Sequence, residues 1–235
     1  MAAILTELKK YSSEARRKTN LRFFKTGKGE YGEGDVFIGV TVPDCRTVAR
    51  TFLDSSLSLI ENSLKSPIHE ERLTALLVLG EKFSRAKKES EKKEIAEFYL
   101  KNKKWVNNWD LVDSSADKIL GNHLLNEKAN RKIIYTLTDS PHLWDRRIGI
   151  IATFAFIKKM QFSDTFELCE KLLNDKHDLM HKACGWMLRE IGKRDEKALE
   201  KFLQKNAPKM PRTMLRYAIE RFPEKKRKDY LLQKR

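Results

Sequence analysis

A repeat of about 35 residues is the feature that most restricts how this chain can fold. A basic residue followed two positions later by a small one recurs at spacings of 35 and 34 residues, beginning at Arg147, Lys182 and Arg216. A Trp-Asp pair recurs at the same spacing, at 109–110 and at 144–145. A period of this length, built from pairs of helices, is typical of an α-solenoid of HEAT-type or TPR-type repeats. The small residues would let neighbouring helices pack closely.

Helical patterns cover most of the chain, and short linkers join them. We expect a first helix at 2–18, an Asp44 cap on the next one, and Ser66 and Ser140 as caps before prolines. Further helices are expected at 44–53, 56–64, 67–86, 89–103, 108–126, 130–137, 141–159, 163–174, 177–192, 196–205, 211–221 and 224–233. No Ser- or Pro-rich boundary divides the chain. We therefore expect a single all-α domain over residues 1–235, a HEAT-like helical-repeat solenoid with a concave basic cleft.

A glycine-rich segment interrupts the helical pattern near the N-terminus. Residues 22–40 hold five of the ten glycines, and phenylalanines flank them at positions 23, 24 and 37. This pattern predicts a small β-hairpin insert at 22–40. The segment contains a GxGxxG sequence at 27–32, but no βαβ unit surrounds it and the acids at 30, 33 and 35 would repel a phosphate. We interpret it as a turn and not as a nucleotide site.

The charge of the chain favours a polyanionic partner. Lys and Arg outnumber Asp and Glu by 48 to 33, which gives a formal net charge of +15. Residues 201–235 alone contain twelve basic and three acidic residues, a net charge of +9. Such a one-sided charge indicates nucleic acid more than an anionic membrane surface.

Other features of the sequence are typical of a soluble, cytoplasmic protein. The longest apolar run, 148–157, is about half of the roughly 20 residues that span a bilayer. The N-terminus lacks the pattern of a signal peptide. Cys45, Cys169 and Cys184 form no CxxC pattern, so we expect reduced thiols. We expect neither membrane binding nor an obligatory protein partner.

Trp109 and Asp113 are the first candidates for chemistry. They are four residues apart, so on a helix they lie on one face. An acid that faces a polyanion is electrostatically unfavourable, so Asp113 is expected to have a task there. That task would be to stabilise a cation or to orient a water while a glycosidic bond is cleaved. The alternative for Asp113 is an ordinary surface salt bridge or a local cap.

A second candidate surface lies on the helix expected at 177–192. Lys182, Trp186, Arg189 and Lys193 fall on one of its faces. Three cations around an indole suit a phosphodiester backbone with a sugar against the ring. The alternative is a core tryptophan with solvated cations around it.

The motifs of several other protein classes are missing from the sequence. His177 and His181 stand four residues apart, but there is no HExxH and no obvious third ligand, so no metal is expected. The chain has neither a P-loop nor a GxSxG elbow, which disfavours NTPases and α/β-hydrolases. We expect no cofactor.

The segments WDLVD at 109–113, WDRR at 144–147 and KACGWMLRE at 182–190 closely resemble the AlkD-like DNA alkylation repair family. Residues 39–43 resemble the GxxxP segment near the N-terminus of that family, and the likeness spans roughly 37–220. The resemblance implies a superhelix of HEAT-like repeats with double-stranded DNA in a concave basic cleft.

The resemblance also implies roles for individual residues. Asp113 would be the catalytic carboxylate, which stabilises the oxocarbenium-like sugar and helps to position water. Trp109 and Trp186 would pack against the sugar of the lesion nucleotide, and Arg147 would hold the DNA backbone nearby. The substrate implied is a cationic N3- or N7-alkylated purine, released without base flipping. The residues that we expect to bind DNA through their charge are Lys182, Arg189, Lys193, Arg212 and Arg216.

Two departures from the family pattern leave the function open. Asn108 stands where the best-known catalytic branch has a second Trp, and the insert at 22–40 is similar to that of hairpin-bearing relatives that bind branched DNA without catalysis. The sequence therefore predicts either a monofunctional glycosylase for 3-methyladenine or 7-methylguanine, or a non-catalytic binder of branched or distorted DNA. A protein–protein scaffold is a third alternative, and the basic excess speaks against it.

Overall fold

The computed structural model describes residues 3–125 and 127–232, apart from the side chains of residues 128 and 129. The chain forms two compact units, of which the first ends at Leu120 and the second begins at Gly121. Regular structure in the described residues is helical, apart from one isolated parallel bridge between Val36 and Ile68. The all-α prediction is confirmed. A single continuous array over 1–235, with a concave cleft, stays a prediction.

The first unit is built around one long helix, α5, which is buried along most of its length. Five other helices pack directly against it, and Leu76, Val78 and Leu79 are fully buried there. The helices of this unit are α1 (Ile4–Lys9), α2 (Glu14–Phe23), α3 (Val42–Thr51), α4 (Leu57–Leu64), α5 (His69–Arg85), α6 (Glu89–Lys101) and α7 (Trp109–Ser115), with a 3-10 turn at Lys103–Trp105.

The second unit is organised around α13, which packs on α15, α14 and α10. A π-helical turn, Asp117–Gly121, leads into this unit. Its helices are α8 (Asn122–Leu124), α9 (Lys132–Thr138), α10 (Leu143–Ala152), α11 (Phe154–Ile157), α12 (Ser163–Lys171), α13 (Asp178–Gly192), α14 (Glu196–Asn206), α15 (Arg212–Ala218) and α16 (Glu224–Leu232), with 3-10 turns at Lys128–Arg131, Leu172–Asn174 and Ala207–Lys209. Gly149 permits the close packing predicted for it, because a Cβ there would come within 2.8 Å of the Ile134 carbonyl oxygen.

The predicted helices after residue 53 match the observed ones to within a few residues, except where longer patterns are divided. The pattern at 108–126 becomes α7, the π-helical turn and α8, and the pattern at 141–159 becomes α10 and α11. The single helix predicted at 2–18 is wrong. It breaks after α1, because the Ser13 hydroxyl accepts the backbone N–H of Arg16 and starts α2 as its N-cap. Thr41, and not Asp44, caps α3.

Helices α5, α10 and α13 begin in the same way. The side chains of Ser66, Ser140 and Asp175 each accept the backbone N–H of the residue two positions later. The carbonyl oxygen of each accepts a hydrogen bond from a side chain six residues later, namely Arg72, Arg146 and His181. The two serines therefore organise the turn before the helix, and α5 and α10 start two residues after the prolines, not at them as predicted. This shared start supports the helical repeat.

The β-hairpin predicted at 22–40 is wrong for the described residues. Arg22 and Phe23 end α2, and the chain from Phe24 to Val40, called the 24–40 loop below, passes through consecutive turns. Three of its glycines, at positions 29, 34 and 39, have φ of +78°, +87° and +76°. Repeated left-handed conformations turn the backbone and prevent the regular pairing of two extended strands. The isolated bridge from Val36 attaches this loop beside the start of α5.

Candidate active site

Helix α7 carries Trp109 and Asp113 one turn apart, as predicted. Its opposite side is buried through Leu111, Val112 and Ser115, whereas Trp109 and Asp113 are each half-buried. The hydrophobic side of the helix thus faces the core of the first unit, and the indole and the carboxylate remain partly accessible. Trp109 is therefore not a fully buried core residue.

Asn108, the position that departs from the family pattern, starts this helix. Its side-chain oxygen accepts the backbone N–H of Trp109 at 2.8 Å, and its amide donates to Asp35 of the 24–40 loop at 3.0 Å. The side chain is fully buried. Asn108 therefore has a cap and an anchoring contact that a tryptophan would not supply.

A column of rings supports the Trp109 indole. Trp109 stacks on Phe24 with ring centroids 5.3 Å apart and an interplanar angle of 13°. Phe24 stacks on Phe37 at 4.8 Å, and Phe37 stacks on the His69 imidazole at 4.5 Å. Phe23 lies edge-on to Trp109 at 5.7 Å and is 61% exposed. The 24–40 loop thus holds one face of the column that ends in Trp109.

A buried ionic cluster lies at the other end of this column. His69 Nδ1 lies 3.0 Å from Asp35 Oδ2, and His69 Nε2 lies 2.8 Å from Asp110 Oδ2. The second oxygen of Asp35 accepts a hydrogen bond from Arg72 at 2.5 Å. We call these four residues, Asp35, His69, Arg72 and Asp110, the His69 cluster. It links the loop, α5 and α7.

The electrostatics of the cluster favour a charged imidazole. Burial disfavours the protonated ring, but the charge of Asp110 and the hydrogen bonds to Asp110 and Asp35 outweigh it and raise the pKa of His69 to about 9. For Asp35 burial acts in the opposite direction, but the His69 hydrogen bond and the Arg72 charge still lower the pKa of its carboxyl group. His69 is therefore an imidazolium at neutral pH.

Glu70 anchors the end of the same loop. Its carboxylate accepts the backbone N–H groups of Ile38, Gly39 and Val40 at 3.1, 2.8 and 3.3 Å. Glu70 is only 2% exposed, so the three donors replace the water that the charge has lost. The loop is thus tied to α5 both through Glu70 and through the His69 cluster.

The second unit contains Arg147 and Trp186. Arg147 is buried, and its Nη1 donates to the Leu179 carbonyl oxygen at 2.6 Å, which joins α10 to the first turn of α13. Trp186 is half-buried on α13, with its ring 5.8 Å from that of Phe154. Lys158 lies over the Phe154 ring at 4.6 Å. Trp186 therefore sits at an accessible aromatic surface with cationic neighbours, and the core alternative does not apply to it.

The cations predicted to bind DNA are placed on the surface with acidic neighbours. Lys182 pairs with Asp178 at 2.8 Å, Lys193 with Glu190 at 2.5 Å, and Arg189 with Glu220. The Lys182–Asp178 pair is exposed and is worth about 0–1 kcal/mol. Glu190, by contrast, is buried and also pairs with Arg194 at 3.1 Å. Arg216 is exposed, whereas Arg212 donates to the Leu231 carbonyl oxygen at 2.8 Å and holds α16.

The predicted residues divide between the two units of the chain. Trp109 and Asp113 belong to the first unit, and Arg147, Trp186 and the predicted DNA-binding cations belong to the second. Convergence of the four candidate catalytic residues at one site stays a prediction. Sequence reasoning missed the contribution of His69, Asp110 and Phe24 to this site. The aromatic residues that flank the glycines could have indicated the stacking of Phe24 on Trp109.

His177 and His181 have roles in the start of α13. His177 accepts the backbone N–H of Leu179 as the N-cap, and His181 donates to the Asp175 carbonyl oxygen. Within residues 3–125 and 127–232, no three His, Cys, Asp or Glu side chains are grouped as a metal site would need. Over the same ranges, no helix combines the length and the apolar character needed to cross a membrane.

The all-helical fold and its repeated helix starts define a helical-repeat protein. The chain belongs to the DNA alkylation repair enzyme family, whose model matches residues 4–222. Membership of this family supports a role in DNA repair and implies DNA as the binding partner.

Solved structures with the same fold include a predicted DNA alkylation repair enzyme from Enterococcus faecalis. It is similar to this chain with a TM-score of 0.71 and 15% identity, covering 91% of this chain and 97% of that one. The protein smu.31 from Streptococcus mutans UA159 is similar with a TM-score of 0.57 and 18% identity, covering 78% and 93%. The comparison with curated proteins finds no match.

Proposed function

We propose that the protein is a monofunctional DNA glycosylase that releases cationic N3- or N7-alkylated purines, such as 3-methyladenine and 7-methylguanine, from double-stranded DNA. One observation carries this proposal: Asp113 and Trp109 share the accessible side of α7. In a chain with a net charge of +15, a half-buried carboxylate beside an indole suits a substrate that becomes positively charged.

The reaction needs little from the protein beyond charge and position. When the bond between C1′ and the purine nitrogen breaks, its electron pair neutralises the cationic base, so no acid is needed to protonate the leaving group. The positive charge passes to the sugar, where the Asp113 carboxylate stabilises it. Water then adds at C1′ and loses a proton, which leaves an abasic site.

The two tryptophans would also stabilise the positive charge on the sugar. The electron-rich faces of Trp109 and Trp186 favour a cationic sugar in contact with them. Trp109 is held flat against Phe24, so its ring does not have to be ordered when DNA binds. Arg147, which is buried, would contribute by fixing the start of α13, the helix that carries Trp186.

Contacts with phosphates would come from both units. On α13 and α15 the candidates are Lys182, Arg189, Lys193 and Arg216, and Arg212 would contribute mainly by holding α16. In the first unit, Lys18 and Arg22 line a shallow groove on α2 together with Phe23. The groove lies next to Trp109, because the exposed Phe23 ring touches the indole.

Asp113→Asn tests the proposal most simply. The substitution keeps the size and polarity of the side chain and removes its charge. We expect the single-turnover release of 7-methylguanine or 3-methyladenine from an alkylated duplex to slow by about 100- to 1000-fold. Binding to undamaged duplex is expected to be unchanged or slightly stronger, because one negative charge is lost.

The matched control is Asp54→Asn, which removes an exposed carboxylate from the same unit. Its release rate should equal that of the wild type. If Asp113→Asn releases base as fast as the control does, Asp113 is not the catalytic carboxylate.

A non-catalytic binder of branched or distorted DNA is the second candidate. The exposed Phe23, with Lys18 and Arg22 beside it, is the observation that favours it, because an aromatic tip flanked by cations suits unpaired bases. This candidate is correct if wild type and Asp113→Asn are both inert and both prefer a four-way junction to linear duplex. Salt-insensitive capture of a protein would instead support a scaffold.

A further inference from the structure

The contacts of His69 extend to both residues that flank Trp109. Its Nε2 bonds to Asp110, the residue after Trp109, at 2.8 Å. Its Nδ1 bonds to Asp35, which also accepts from Asn108, the residue before Trp109, at 3.0 Å. The backbone of α7 is thus anchored on both sides of the indole by one buried imidazole.

Both hydrogen-bond partners of the imidazole are carboxylates, and they require the doubly protonated form of the ring. An ionised carboxylate only accepts hydrogen bonds, so both ring nitrogens have to carry a proton to satisfy both partners. A neutral ring would turn a lone pair towards one of the two acids. The imidazolium and the Arg72 guanidinium formally balance Asp35 and Asp110, and this balance makes such a buried cluster tolerable.

Among the residues that the structure describes, Asp110 and Asp35 are the charged groups that act on His69 most strongly. The 24–40 loop contributes Asp35 and the Phe24 and Phe37 rings, and α7 contributes Asp110. On α5 itself, the neighbouring Glu70 is occupied by backbone N–H groups of the loop. From α3, burial raises the pKa of the Cys45 thiol to about 12, so Cys45 stays neutral.

We propose that His69 is a positioning residue that holds Trp109, and with it the Trp109–Asp113 face of α7, in place by donating hydrogen bonds to Asp110 and Asp35 at the same time. The 24–40 loop also holds Trp109, because its Asp35 accepts a hydrogen bond from the neighbouring Asn108 and its Phe24 stacks on the indole. The consequence for catalysis rests on the glycosylase proposed above, whereas the effect on the Trp109 ring does not. When His69 loses its second proton, one of the two anchors is lost and the indole is released.

The test follows the Trp109 ring directly, by ¹⁹F NMR of protein labelled with 5-fluorotryptophan. The chain has four tryptophans, and Trp109→Phe identifies the Trp109 resonance. In the wild type this resonance should stay constant from pH 6 to 8 and shift with a midpoint near pH 9, together with the His69 imidazole signals. The Trp144 and Trp186 resonances, from the second unit, report whether that unit stays folded.

His69→Gln removes the imidazolium. We expect the Trp109 resonance of this variant to be displaced or broadened at neutral pH and to show no step near pH 9. His142→Gln, which replaces an exposed histidine of the second unit, is the matched control and should leave the wild-type step intact. The proposal is overturned if the Trp109 resonance of His69→Gln matches that of the wild type, or if the His69 ring titrates near its ordinary pKa.

Asp110→Asn is the second variant, and it covers the case in which His69→Gln does not fold. Its amide can still bond to the ring but no longer stabilises a cation, so the His69 midpoint should move to lower pH. The Trp109 resonance should shift at that new midpoint. An unchanged midpoint contradicts the proposal.

Activity provides a separate readout. With active wild-type enzyme, His69→Gln should lower the single-turnover rate by about 10- to 100-fold and leave the Kd for undamaged duplex unchanged, because phosphate contacts are untouched. A loss of binding with an unchanged rate would overturn the positioning role. If the wild type itself releases no base, the glycosylase proposal fails, and the ¹⁹F experiment still decides whether His69 positions Trp109.

Discussion

At the scale of single residues, the unusual feature is a buried imidazolium. His69 is 1% exposed, and an isolated charge at such a depth would be costly. Its two carboxylate partners reverse that cost and make the protonated ring the stable form. The folded protein therefore binds a proton at neutral pH that the unfolded chain, with an ordinary histidine, has mostly lost.

This difference predicts a pH dependence of stability. Because the pKa of His69 is raised to about 9 in the folded state, its contribution is fully present below the unfolded pKa, about 6.5, and is lost as pH rises through 9. Across that window the free energy of unfolding should fall by about 3 kcal/mol. Urea denaturation of the wild type at pH 6.5, 7.5 and 9 measures this slope.

The comparison with His69→Gln isolates the contribution of this one group. The free energy of unfolding of the wild type minus that of the variant should decrease steadily between pH 6.5 and 9. A difference that is constant with pH would show that His69 is neutral in the folded protein, against the ionic cluster described above.

At the scale of structural elements, the 24–40 loop has taken the place expected for a hairpin. It is a set of turns attached to α5, and its attachment passes through Gly39. There φ is +76°, and a Cβ would lie 2.1 Å from the Ser13 carbonyl oxygen and 2.6 Å from the Arg17 backbone nitrogen. The loop thus packs against the start of α2 as closely as its backbone allows.

Gly39→Ala should therefore destabilise the protein by about 2–4 kcal/mol, since backbone strain and a clash with main-chain atoms add together. Gly29→Ala is the matched control. Gly29 has a similar φ of +78° but nothing within 4 Å of a Cβ, so only about 1 kcal/mol of strain is expected. Equal shifts in the urea midpoint of the two variants would contradict the close packing of loop and helix.

At the scale of the whole molecule, net charge is the dominant property. A formal charge of +15 on 235 residues attracts DNA before any specific contact forms. If five or more phosphates are contacted, log affinity for duplex DNA should fall with log salt concentration with a slope of about −4 or steeper. Fluorescence anisotropy between 50 and 300 mM KCl measures this slope.

Two double variants test where the phosphate contacts lie. Lys182→Gln combined with Arg216→Gln should reduce the slope by about two, one for each lost phosphate contact. Lys87→Gln combined with Lys93→Gln changes the net charge equally, near the start of α6 in the first unit, and should leave the slope nearly unchanged. If both pairs act alike, binding reflects overall charge and not the α13 and α15 surface.

Local periodicity accounts for what the sequence could predict. The helices after residue 53 and the shared face of Trp109 and Asp113 follow from the 3.6-residue turn of a helix, and the structure contains both. The helix starts near Ser66 and Ser140 could be predicted because a Ser-Pro pair occurs at both places. Such features depend on neighbours in sequence.

Long-range contacts account for what the sequence could not predict. Asp35, His69 and Asp110 are separated by 34 and 41 residues, and no spacing rule connects them. The hairpin prediction was wrong because the spacing of the glycines does not show that Gly29, Gly34 and Gly39 adopt positive φ. Trp109 and Trp186 could be chosen from their helical faces, but the Phe24 ring beneath Trp109 could not.

The decisive measurement is the single-turnover rate at which 7-methylguanine leaves a methylated duplex, compared between the wild type and Asp113→Asn. If Asp113 is the catalytic carboxylate, the wild type releases base well above the spontaneous rate, and the variant is about 100- to 1000-fold slower at equal DNA occupancy. Equal rates for the two proteins, both at the spontaneous rate, would contradict this role.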